Sequence, residues 1–244
     1  MKALYFTLFT TLFAVTAASA QVQNASSVAS LGQAKAAPAA TENTNWKGDL
    51  TGTWQGPYTA DLTRGTTAQL TPWGQDKFAK FDGKIDPCLP VGVTRLTNAP
   101  DPIQIVQTPQ RAVILYESWH MFRSIPTDGV NHAINSDPTW LGTSVAHWDG
   151  DTLVVDVIHM NDKTTLDTVG HPHSEDIHLT EKFRRTGPAT MSYEVTVNDP
   201  KAYTAPWSQS RTFKLMPATE LLEYICLENE KDIRHLVGIN GGSK

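Results

Sequence analysis

From Asp101 onward the chain alternates short β-branched or aromatic runs with Pro, Gly, Asn and Asp, a rhythm that favours an antiparallel meander. The runs Ile103–Gln107, Ala112–Glu117, Trp119–Ser124, Thr143–Trp148, Thr152–His159, Ile177–Arg185, Thr190–Val197, Ser208–Leu215 and Leu221–Leu227 read as strands. At Trp148-Asp149-Gly150-Asp151, Asp-Gly supplies the positive φ of a tight primed hairpin turn. Only Thr71–Phe81 reads as helix, with Phe78 and Phe81 spaced to share a face. Consecutive strands without interleaved helices predict an all-β fold. The expected form is an antiparallel up-and-down, lipocalin-like barrel of about 8–9 strands with one short helix, a β-sandwich being the alternative. A barrel of this size has room for one small ligand.

Residues 1–20 join Lys2 to an apolar stretch ending in Ala18-Ser19-Ala20, the pattern of a secretory signal peptide, and the stretch is short for a membrane span. Residues 21–45, rich in Ala, Ser, Gln and Asn, read as a disordered tether, and 46–240 as a single barrel domain. The expected location is periplasmic or secreted. With 20 Lys+Arg against 25 Asp+Glu, the formal charge of −5 argues against a nucleic-acid partner. In an oxidising compartment Cys88 and Cys226 are expected to form a disulfide, worth roughly 4–5 kcal/mol for so long a loop; two buried free thiols are the alternative.

Period-2 alternation singles out polar residues among apolar ones. In Thr152–His159, Leu153, Val155, Val157 and His159 share one face and Val154, Asp156 and Ile158 the other, so Asp156 is expected to be partly buried, in a structural or a site role. Glu117 and Arg123 are placed to form an ion pair, although the same Arg in a pocket would hold a carboxylate or phenolate. Asp128 and His132 lie four apart in a long polar loop, where the carboxylate would orient the imidazole. The densest cluster, Gly170 to His178, contains His171, His173 and His178 with Glu175 and Asp176. It suits acid–base work, Zn²⁺ or Cu²⁺ ligation, or a solvated loop.

No GxSxG, P-loop, HExxH, CxxC or GxGxxG pattern occurs, so serine-hydrolase, nucleotide and redox-thiol chemistry lack their usual support. The residues combine into an acid–base enzyme of lyase, isomerase or cyclase type acting without a cofactor on a small apolar or aromatic molecule. Its base is His173 or His132, with Asp128 as orienter and Asp156 or Glu117 as the second group. Arg123, Tyr116, His120, His159 and Tyr193 would line the pocket. A lipocalin-like carrier is one alternative. A metal-dependent hydrolase or metal-binding protein using His171, His173 and His178 is the other.

The strings Asp86-Pro87-Cys88-Leu89-Pro90, Thr127-Asp128-Gly129, Trp148-Asp149-Gly150-Asp151-Thr152-Leu153-Val154-Val155-Asp156 and Asn198-Asp199-Pro200 resemble a large group of secreted bacterial proteins of unassigned function. The resemblance spans about residues 50–230. It implies that the Thr127-Asp128-Gly129 loop and the His173-Ser174 neighbourhood belong to a common pattern. Members of the group read T-D-G-R where this chain has Val130, which removes the Arg that would hold an anion on that loop.

Overall fold

Nine strands form a single sheet, and buried and more exposed side chains alternate most clearly along Arg111–Tyr116, His178–Gly187 and Thr190–Asn198. The computed structural model describes residues 47–84, 89–130 and 137–224. The strands are β1 (Gly52–Gln55), β2 (Ile103–Gln107), β3 (Arg111–Tyr116), β4 (Phe122–Pro126), β5 (Thr143–Asp149), β6 (Thr152–Ile158), β7 (His178–Gly187), β8 (Thr190–Asn198) and β9 (Trp207–Leu215). Two helices, α1 (Pro72–Ala79) and α2 (Val93–Thr97), and a 3-10 turn at Ser118–His120 complete the elements. The signal-like segment, the tether, His132, Cys88 and Cys226 lie outside the described residues.

The strand order is β4-β3-β2-β1-β9-β8-β7-β6-β5, and all eight ladders are antiparallel. A ring of nine strands cannot alternate direction throughout, so the ninth junction, between β4 and β5, must be parallel. Parallel neighbours need a long crossover rather than a hairpin, and residues 127–142 supply it. No ladder forms at this seam. The two edges are instead tied by the Gly129 N–H donating to Ala146 O at 2.9 Å and by Arg123 Nη2 donating to Ser144 Oγ at 2.8 Å. The result is a nearly closed barrel rather than a sandwich.

Several boundaries differ from expectation. β1 is too short to show alternation, and Gly52 opens it; its place is set by its neighbours, Trp54 pairing with Ile103 on β2 and Leu215 on β9. The expected strand from Trp119 starts later because Trp119 and His120 adopt positive φ (59° and 48°), turning the chain between β3 and β4. Residues 221–224 form no strand. The stretch after β9 is held along the outside, Met216 N–H on Thr53 O and Leu222 N–H on Glu117 Oε2. α1 matches the expected helix, with Thr71 as N-cap accepting from the Gly74 N–H. α2 is a second helix, too short for a periodic signal, and all five of its residues are buried.

Direction around the ring puts the β1–β2, β3–β4, β6–β7 and β8–β9 connections at one end of the barrel, together with the start of β5. These are the connections that carry α1, α2 and the histidine-rich segment. The opposite end has the short β2–β3, β5–β6 and β7–β8 turns. In the β5–β6 turn only Gly150 has positive φ, at 61°, so the primed turn is of the glycine-first kind.

The barrel interior is filled. Leu153, Val155, Val157, Leu179, Phe183, Met191, Tyr193, Val195 and Phe213 are buried, and α2 adds Val93 and Leu96. Among them lies a polar network. Tyr193 Oη donates to Glu181 Oε1 at 2.9 Å, Arg123 Nη1 reaches Tyr116 Oη at 3.3 Å, and Thr97 of α2 lies 3.4 Å from the same phenol.

Candidate functional site

α2 begins at Gly92, whose φ of 84° and close approach to Thr164 (a β-carbon there would lie 2.8 Å from Oγ1) exclude a side chain. This tight entry sinks the helix into the loops at the end of the barrel and carries Arg95 with it. Arg95 is only 9 % exposed. No hydrogen bond or ion pair reaches its guanidinium among the described residues. Burial pulls its pKa below the usual arginine value, opposed by the charge of Asp167 and by Tyr58. Asp167 is no direct partner. Its Oδ1 accepts the Gly170 and His171 N–H groups, and its Oδ2 the Leu62 N–H and the His171 imidazole.

Arg95 lines a cleft of about 400 Å³. The rim is basic: Lys77, Lys80, Lys84 and Lys163 join Arg95, against Asp162 alone, in a chain that is net negative. Lys80 and Lys84 are paired with exposed Asp76 and Asp82, so the rim cations without an ion pair among the described residues are Arg95, Lys77 and Lys163. Phe81 and Trp140 supply aromatic wall, with Lys163 Nζ 5.9 Å from the Trp140 ring centroid.

His173 forms part of the same wall and is 2 % exposed. Its Nδ1 lies 3.2 Å from Ser174 O and its Nε2 2.7 Å from Thr164 Oγ1. A carbonyl only accepts, so Nδ1 carries the proton and Nε2 accepts from the Thr164 hydroxyl. Burial pushes its pKa below the ordinary histidine value, outweighing the Ser174 carbonyl and the Asp199 and Asp162 charges, so the imidazole is neutral. Asp199 braces the segment by accepting from Ser174 N–H at 2.6 Å and Ser174 Oγ at 2.9 Å. A neutral base, oriented by a third group and bonded to a hydroxyl, is the arrangement proton transfer requires.

The other expected catalytic residues are elsewhere. Asp128 sits at the opposite barrel end, accepting from the Val130 N–H. Asp156 is half-buried on the outer face, bound to His178 Nε2 at 2.8 Å and Thr180 Oγ1 at 3.2 Å. Glu117 is not paired with Arg123; it holds the chain after β9. The carboxylate beside Arg123 is the protein's own Glu181, so Arg123, Tyr116 and Tyr193 belong to an internal network and not to a cavity wall built around that guanidinium. His120 is exposed and accepts the Tyr224 N–H. His159 terminates β6 with φ 57°, its carbonyl accepting from the Thr139 N–H.

His171, His173 and His178 have separate partners and do not gather around one point. His171 instead meets Asp61 and Asp167, the three offering ligand atoms within 4.8 Å of one another. The oxygens of Asp167 also accept from three backbone N–H groups and the imidazole, which ties the cluster to its loop. Phe78 stacks on His171 at 4.7 Å.

Sequence reasoning missed Arg95, Thr164 and Glu181. Glu181 was discoverable, because it shares the inward face of β7 with Leu179 and Phe183; Arg95 and Thr164 lie in segments too short or irregular for any period. No family model and no curated protein sequence matches this chain.

Proposed function

We propose that this protein, exported as its amino-terminal segment suggests, binds a small anionic molecule in the lysine-rimmed cleft and moves a proton on it through Thr164 and His173. The observation that carries the proposal is Arg95, a residue nine-tenths buried whose guanidinium makes no hydrogen bond or ion pair among the described residues, the Asp167 carboxylate that acts on it from a distance being bonded to other donors. A buried cation without a direct partner carries a desolvation cost, and an anionic ligand bonded to it offsets that cost where the nearest carboxylate, Asp167, makes no direct contact. The basic rim concentrates such a ligand at the cleft.

Turnover, rather than carriage alone, is favoured by the 2.7 Å Thr164–His173 contact. As the substrate proton passes to Thr164 Oγ1, the hydroxyl proton passes to His173 Nε2. The resulting imidazolium is stabilised by the Ser174 carbonyl on Nδ1 and by the bound anion. Return of the proton to another substrate atom completes an isomerisation, and its transfer to a leaving group that departs as the protonated species completes an elimination instead.

The test is a screen of small carboxylates and phosphate esters by thermal shift, followed by calorimetry and turnover assays on the wild type, Arg95→Gln and His173→Gln. Arg95→Gln abolishes binding without lowering the melting temperature, because no hydrogen bond or ion pair among the described residues is lost with the guanidinium. His173→Gln keeps binding but lowers turnover by about 10²-fold or more. Binding unaffected by Arg95→Gln defeats the anion assignment, and turnover unaffected by His173→Gln leaves only the carrier.

A further inference from the structure

We propose that the ligand is an amphipathic anion with an aromatic body, seated in a second cavity that shares Arg95 with the lysine cleft. This rests on the anion-binding function proposed above. The second cavity holds about 280 Å³, and its wall comprises Tyr58, Ala99, Pro100, Trp119 and Tyr224 as well as Arg95. The Trp119 and Tyr224 rings are 6.0 Å apart and tilted by 33°. Trp119 is held there by a left-handed backbone, φ 59°, followed by His120 at 48°, a costly conformation for residues with a β-carbon.

The polar groups at the edge of this cavity are engaged with the protein. Tyr58 Oη lies 3.0 Å from Thr168 Oγ1, Ser118 Oγ donates to Asp101, and Asn98 joins the Thr59 carbonyl to Arg211. What remains is Arg95, the one cation of the described wall, alongside the Asp101 carboxylate that Ser118 holds. Arg95 is both a donor and a cation. Aromatic walls favour a ring in tilted or offset contact over an aliphatic chain, and a planar guanidinium takes a carboxylate in bidentate fashion while lying against an aromatic face. An aryl carboxylate satisfies both halves at once: its ring in the aromatic cavity and its charge on Arg95, facing the lysines.

The experiment is calorimetry with two probes, 2-naphthoate and inorganic phosphate, on the full chain and on Arg95→Gln, Ala99→Phe and Trp119→Leu. For the wild type, naphthoate binds at least about tenfold more tightly than phosphate, the difference that burying an aromatic body supplies. Ala99→Phe fills the cavity and weakens naphthoate by about tenfold while phosphate changes less than about twofold. Trp119→Leu does the same by removing wall, and decides the matter if the Ala99 variant does not fold. Arg95→Gln weakens both probes. Equal affinity of the two probes, or naphthoate binding indifferent to both cavity variants, overturns the aromatic subsite and leaves the anion function standing. Phosphate and naphthoate both failing to bind the wild type removes the anion function and the subsite with it.

Discussion

Arg123 Nη2 lies 2.7 Å from Glu181 Oε2 inside the barrel, the two side chains 3 % and 0 % exposed. The guanidinium comes from β4 and the carboxylate from β7, and the same Nη2 donates to Ser144 on β5. One cation therefore fastens both edges of the parallel seam, which has no ladder, to the far wall. Burial alone would lower the Arg123 pKa, but Glu181 and Tyr116 reverse this and raise it, so the ion pair persists at any ordinary pH.

Breaking that pair should be far worse than replacing it. Glu181→Leu or Arg123→Met alone leaves a buried charge without its partner and is expected to cost about 3–5 kcal/mol. The double variant Arg123→Met with Glu181→Leu should recover most of that loss, though the Tyr193 hydroxyl loses its acceptor. Urea denaturation of the four proteins gives the coupling energy directly. Additive single effects would show that the pair does not hold the seam.

Stability should fall in mild acid through His173. Its folded pKa lies below the ordinary 6.5, so under that pH the unfolded chain takes up a proton that the folded protein resists. The contribution is complete above about 6.5 and is lost as pH falls from there to the folded pKa, at up to about 1.4 kcal/mol per pH unit. Comparing unfolding free energies of the wild type and His173→Gln between pH 7.5 and 5 isolates this one group. Identical slopes would mean that His173 titrates normally and is not the buried neutral base.

Much of this architecture is legible from period 2. Leu153, Val155 and Val157 alternate in the sequence and are buried together, and the Asp149-Gly150 turn sits where its φ requirement puts it. The histidine-rich segment is likewise legible, because a cluster of imidazoles stands out in any loop, and its His173 lines the cleft. Convergence is not legible. Asp128 and His173 end on opposite barrel ends because the number of strands between them fixes the direction, and a direction count fails once β1 and the parallel seam are unseen. Arg95 is hidden for a different reason: VTRLT has the look of a surface turn, and only the close approach of Gly92 to Thr164 buries it.

Asp167 should behave as a structural keystone. Both its oxygens accept two donors each, three of them backbone N–H groups, at complete burial. Asp167→Asn replaces one acceptor by a donor facing other donors, and a loss of about 1–3 kcal/mol follows from the unsatisfied groups. Added Zn²⁺ should not raise the wild-type melting temperature, since the oxygens are already committed. A metal-dependent rise that disappears in Asp167→Asn would reassign this cluster as an ion site.

Gly170 offers the sharpest link between backbone geometry and the cleft. Its φ of 98° belongs to the region that favours glycine, and a β-carbon built there would stand 2.1 Å from the Phe81 ring. Gly170→Ala thus carries two penalties, a left-handed backbone and a displaced aromatic wall. The backbone strain alone is about 1–3 kcal/mol. Phe81 must rotate or shift, and Phe81 and Gly170 both line the cleft beside His173. The variant should therefore unfold at lower urea and bind the anion more weakly, even where it is fully folded. Phe81→Ala in the Gly170→Ala background relieves the clash without restoring the wall, so it should regain part of the stability and none of the affinity. Recovery of both would mean that Phe81 does not shape the ligand site.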